Sequence, residues 1–112
     1  MMKNNYLDGD SYTLRALSLE PKQDTEGRQK HDRSGTPQFV LLCLVEAKDG
    51  HSTPELVKTT LTLPAAELPK LSTFSPVRLV GWTARLWNLD GRAGIAYSAE
   101  GVQPISTGGG RS

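Results

Sequence analysis

A chain of 112 residues has room for one domain, and 37% hydrophobic residues can build one modest core without disulfides or a metal. The formal net charge of +1 argues against an indiscriminate polyanion binder. No apolar run of about eighteen residues exists to form a transmembrane helix, and the polar start, Met1 to Asp10, lacks the apolar centre of a signal peptide.

The single cysteine, Cys43, has no partner for a disulfide or a zinc site and sits in an apolar run. It reads as a small buried hydrophobe, compatible with a reducing cytoplasm, and a cytoplasmic location is expected. Residues 1–11 read as a flexible N-terminus, 12–105 as a single domain and 106–112 as a disordered Gly/Ser tail.

Strand signals dominate and helical periodicity is scarce. The first expected strand covers 12–19 and stops at Glu20-Pro21. The segment from Pro21 to Pro37 is polar and loop-like, with a composition that suggests mobility in the free protein. The second strand is 38–47, and its unbroken run from Phe39 to Val45 suggests two faces at least partly covered. Asp49-Gly50 marks a turn. The third strand, 55–63, directs Val57, Thr59, Leu61 and Leu63 to one side and Leu56, Lys58, Thr60 and Thr62 to the other. Pro64 to Leu68 suits one helical turn led by proline.

The fourth and fifth strands, 77–88 and 92–102, flank Asp90-Gly91. Simple alternation puts Val80, Trp82, Ala84 and Leu86 on one face and Leu79, Thr83, Arg85 and Trp87 on the other. Gly81 marks a bulge or bend that could exchange the faces. Five strands, a helical turn after the third and a glycine-bent fourth meet the requirements of an all-β, five-stranded Greek-key barrel of the OB type. An SH3-like barrel and a small open sandwich have similar strand counts.

Charge is unevenly spread. From Lys58 to Arg92 five basic residues face two acidic ones, a local net of +3 that leaves −2 for the rest of the chain. Such a field can steer a polyanion. Trp82, Trp87 and Tyr97 lie on the same two strands as Arg78, Arg85 and Arg92. Each ring suits either the core or the stacking of an unpaired base.

The run V-R-x-x-G-x-x-A-x-x-W-x-x-D-G-R-x-G-x-A-x-x-A-E-G-V-x-P, from Val77 to Pro104, resembles small OB-fold, single-stranded-DNA-binding-like proteins of actinobacterial plasmids and integrative conjugative elements. The upstream Asp32 to Phe39, D-R-S-G-T-P-Q-F, is similar to their lead-in to the second strand. A weaker likeness, through Leu56 to Leu63, runs to the helix-destabilising proteins of filamentous phages. The resemblance covers roughly residues 32 to 105 and puts Trp87, Arg92, Gly94 and Glu100 on the shared motif. It implies a role in plasmid or mobile-element replication or conjugative transfer.

No catalytic constellation emerges. His31 and His51 have no metal-ligand spacing, Gly108 to Gly110 open no helix after a strand, and Glu100 reads as a strand end. No enzyme activity, metal or cofactor is expected. The leading expectation is sequence-tolerant binding of single-stranded nucleic acid, DNA above all. Lys58, Arg78, Arg85 and Arg92, with Lys22, Arg28, Lys30 and Arg33 of the loop, would neutralise phosphates. Trp87 would stack bases, with Trp82 or Tyr97 as alternates. Replication or transfer proteins are candidate further partners, and self-association along the strand is compatible with a small site; no membrane partner is expected. The alternative is a β-barrel adaptor that holds a protein such as a helicase or relaxase by strand addition.

Overall fold

The computed structural model describes residues 4–7, 9–51 and 53–105. Alternation along one long strand shows how the two faces divide. In Gln38–Ala47, Phe39, Leu41, Cys43 and Val45 are buried, whereas Val40, Leu42 and Leu44 are half-buried on the opposite face. One face therefore makes the core and the other remains partly open to solvent.

The strands are β1 (Asn4–Tyr6), β2 (Tyr12–Pro21), β3 (Gln38–Ala47), β4 (Glu55–Thr62), β5 (Pro76–Val80), β6 (Thr83–Leu89), β7 (Arg92–Ala99) and β8 (Gly101–Pro104). They share one sheet in the order β1-β6-β7-β4-β3-β2-β5-β8. All neighbours are antiparallel except β4 and β7, which run parallel through Thr59↔Tyr97, Thr60↔Ser98 and Leu61↔Ala99. The all-β expectation holds, and a 3-10 turn at Ala65–Glu67 follows β4 as the Pro64 signal suggested. The hydrogen-bonded order is linear, with β1 and β8 at its ends, and holds eight strands where five were expected.

Two local causes produce the larger number. Asn4–Tyr6, expected to be a flexible arm, pairs with Thr83 to Arg85 of β6. The last two expected strands are each broken once, at Gly81 and at Glu100. Gly81 has φ +62°, and a Cβ there would sit 2.4 Å from a Glu100 carboxylate oxygen. The Glu100 amide donates to the Val80 carbonyl at 2.8 Å, which locks the two breaks together. The kink exchanges faces, as a bulge does. Leu79 and Trp82 both point inward, although simple alternation separates them. Ala99 and Val102 do the same on the neighbouring chain segment.

A third irregularity lies in β2, where the register shifts between Ala16 and Ser18 and Leu17 is the extra residue. The shift keeps Leu14 and Ala16 in the core and turns Leu19 back toward it. The core includes Leu41, Leu61, Val77 and the buried Thr59. Trp82 closes one side of it, edge-on to Tyr12 at 6.0 Å and tilted against Tyr97 at 6.1 Å.

The segment between β2 and β3 is not structureless. Asp24 accepts from the amides of Glu26 and Arg28, and Asp32 accepts from those of Ser34 and Thr36. Each Asp begins a D-x-x-G turn whose glycine is left-handed, Gly27 at φ +83° and Gly35 at φ +88°. The Lys30 amide bonds to Lys22 and the Gln38 amide to Lys30, tying the two turns to the sheet. Local side-chain-to-backbone bonds from the two aspartates shape these turns. The expected tail at 106–112 lies outside the described residues.

Candidate nucleic-acid interface

The open face of the sheet can be followed strand by strand through its register. One row runs Glu20–Val40–Thr60–Ser98–Thr83. The next contains Ser18–Leu42–Lys58 and, on β7 and β6, Ala96–Arg85. A third contains Arg15–Leu44–Leu56 and then Gly94–Trp87. Ser98 shares the face of Thr60, so alternation puts Ala96, Gly94 and Arg92 on that face too. Lys58, Arg85, Trp87 and Arg92, far apart in sequence, thus share one surface.

Trp87 is exposed at 36%, and its ring lies across Gly94. A Cβ at Gly94 would stand 2.6 Å from Trp87 Cζ2, so only glycine leaves space for this seat. Arg85 lies two residues before the ring and Arg92 beyond the turn. The turn itself is Asp90-Gly91, with φ +54° and +77°, which gives the tight hairpin its twist.

At the other side of the face, Lys22 extends past the end of β2, and its Nζ donates to Thr60 Oγ1 at 3.0 Å. Partial burial, and next the charge of Lys30, push its pKa down. Glu20, Lys22, Val40, Leu42 and Lys58 line an open groove of about 700 Å³. The surface therefore combines five cations (Arg15, Lys22, Lys58, Arg85, Arg92) with two carboxylates (Glu20, Glu46) and a strip of half-buried or exposed aliphatic side chains.

Other expected contacts fall elsewhere. Trp82, 5% exposed, is a core residue and cannot stack on a ligand. Tyr97 lies half-buried on the inner face against Trp82, so it also leaves the set. Arg78 is exposed but belongs to β5, opposite Gln103 and separated from Lys58 by β2 and β3. Arg28, Lys30 and Arg33 are exposed on the two turns beyond β2, and Arg28 is paired with Glu26. Arg15, the aliphatic strip and the seat at Gly94 were not expected from the sequence, although alternation along β2, β3 and β4 carried the signal for the first two.

His31 and His51 are both exposed, and no cluster of metal-ligating side chains occurs among the described residues. Among those residues no helix is long and apolar enough to cross a membrane. Comparison with protein-family models, with curated proteins and with solved structures finds no match to this chain.

Proposed function

We propose that the protein binds single-stranded nucleic acid, DNA in the first instance, across the open face of β2, β3, β4, β7 and β6. The observation that carries this reading is the convergence of Lys58, Arg85 and Arg92 with the seated, exposed indole of Trp87 on one sheet face. Cations neutralise phosphates, and an aromatic ring stacks any base, so the combination gives sequence-tolerant binding. A duplex hides the base faces that Trp87 needs.

The fold supports the same reading. Taking β5 with β6, and β7 with β8, as single strands bent at Gly81 and Glu100 leaves five long strands. The second and third are then β3 and β4, the loop from Pro21 to Pro37 joins the first two, and Asp90-Gly91 joins the last two. In OB-type barrels the face of strands two and three, with those two loops, is where oligonucleotides bind. The resemblance to single-stranded-DNA-binding-like proteins of plasmids and conjugative elements agrees with it, and replication or transfer of such an element is the process proposed, in the cytoplasm.

A second reading has its own observation. Leu86 and Ile95 oppose each other on the inner side of the β6–β7 arm and are 65% and 50% exposed. That side favours a protein contact, either a replication partner or another copy of the chain.

Anisotropy of a labelled oligonucleotide tests the first reading. Single-stranded DNA should bind more tightly than its duplex. With four to five phosphates neutralised, log affinity should fall against log salt with a slope of about −3. Equal duplex binding, or a flat salt response, would transfer support to the adaptor reading.

A further inference from the structure

We propose that Phe74 is a second base-stacking side chain, which with Arg15 forms the far end of the open face opposite Trp87. The inference rests on the nucleic-acid reading and adds a subsite in the connection between β4 and β5.

Phe74 has φ +66°, a left-handed conformation that is a genuine outlier for a bulky residue. Its backbone is held in place from both sides. The Phe74 amide donates to the Ala16 carbonyl at 2.7 Å, and the Arg15 guanidinium donates to the Phe74 carbonyl at 3.2 Å. Ser75 accepts the Ala16 amide through its carbonyl at 2.9 Å, completing the attachment to β2.

Packing does not account for the phenyl ring. Leu68 and Leu71 of the same connection pack against the core, whereas Phe74 remains 57% exposed. A strained backbone that presents an apolar ring to solvent, where glycine would relieve the strain, points to a use for the ring itself.

Its location fits a base-binding role. Arg15, which holds Phe74, begins the row Arg15–Leu44–Leu56 whose continuation on β7 and β6 is Gly94–Trp87. Four strand-to-strand steps separate Arg15 from Trp87, about 19 Å at the usual spacing. Between the two aromatic ends lie Leu44 and Leu56, the latter 64% exposed, with Lys58 and Leu42 in the adjoining row. A single strand crossing the sheet would meet a ring and an arginine at each end and a cation in the middle.

The test uses labelled oligothymidylate, anisotropy and thermal melting on the full chain. Phe74→Gly should weaken binding at least about fivefold, as loss of one stacking ring does, while leaving the melting temperature unchanged or raised. Phe74→Tyr should bind within about twofold of the parent, because it keeps the ring. Parent-like binding by Phe74→Gly, or a melting temperature lowered as by a core truncation, would overturn the subsite while leaving the role of Trp87 intact. Absence of binding by the parent protein itself would remove the nucleic-acid reading and this inference together.

Discussion

The two tryptophans should respond to truncation in opposite ways. Trp82 is 5% exposed and packs against Tyr12 and Tyr97 at the closing side of the core. Trp82→Ala should therefore cost about 3–5 kcal/mol, the range for removing a large buried aromatic. For a domain of this size that corresponds to a melting-temperature loss of roughly 12–20 °C. Trp87 is 36% exposed, and its structural contribution is the cross-strand contact with Gly94. Such a pair contributes about 0.2–1 kcal/mol, so Trp87→Ala should lower the melting temperature by no more than roughly 4 °C. Its effect on single-strand binding should be larger, about 1–3 kcal/mol or 5- to 150-fold. Calorimetry and anisotropy on the same two preparations separate the outcomes. Equal melting losses, with no selective loss of binding at Trp87, would refute the assignment of the exposed indole to stacking and leave it a structural cover for the arm.

Further expectations follow from local chemistry. Gly81→Ala should destabilise by about 1–2 kcal/mol, because φ +62° strains any side chain, and the Glu100 carboxylate must also move aside; unchanged chemical denaturation would refute it. Asp32 is held below the usual carboxylate range by the Thr36 amide first and the Ser34 hydroxyl next. A depressed folded-state pKa means that this turn's contribution is complete above the ordinary aspartate value and is lost as pH falls through the lower one. Carboxyl NMR should show the depressed titration, with faster Thr36 amide exchange at its acid end; titration at the value of a free aspartate would contradict this. Burial pushes the Cys43 thiol up to about 11, so at pH 8 it should react with a thiol reagent only at the rate of unfolding, and immediate labelling would count against its place in the core.

Much of the sheet was legible because its alternation is strong. The second and third expected strands coincide with Gln38–Ala47 and Glu55–Thr62 to within one residue, and the inward set Val57, Thr59, Leu61 and Leu63 is as alternation requires. Alternation failed where the chain kinks. Leu79 with Trp82, and Ala99 with Val102, share a face across three residues because Gly81 and Glu100 insert a bend between them. Gly81 announced that bend, and Trp82 lies inward beside it while Trp87 stays exposed, as expected from the sequence. The three residues of β1 carry no pattern, and their strand arises from tertiary pairing with β6. Composition showed the loop's polarity but not its two turns, although Asp24 to Arg28 and Asp32 to Thr36 spell the same turn twice. The site was half legible: arginines and a tryptophan beside a turn suggested a ligand, but only the parallel pairing of β4 with β7 unites Lys58 with Trp87.

Amide chemical-shift mapping with oligothymidylate would locate the ligand on the sheet. Perturbations are expected at Leu42, Leu44, Leu56, Lys58, Arg85, Trp87 and Gly94, with Arg78 and Gln103 unaffected. Shifts confined to Leu86, Ile95 and their neighbours on the inner side of the arm, or to β5 and β8, would contradict the proposed interface.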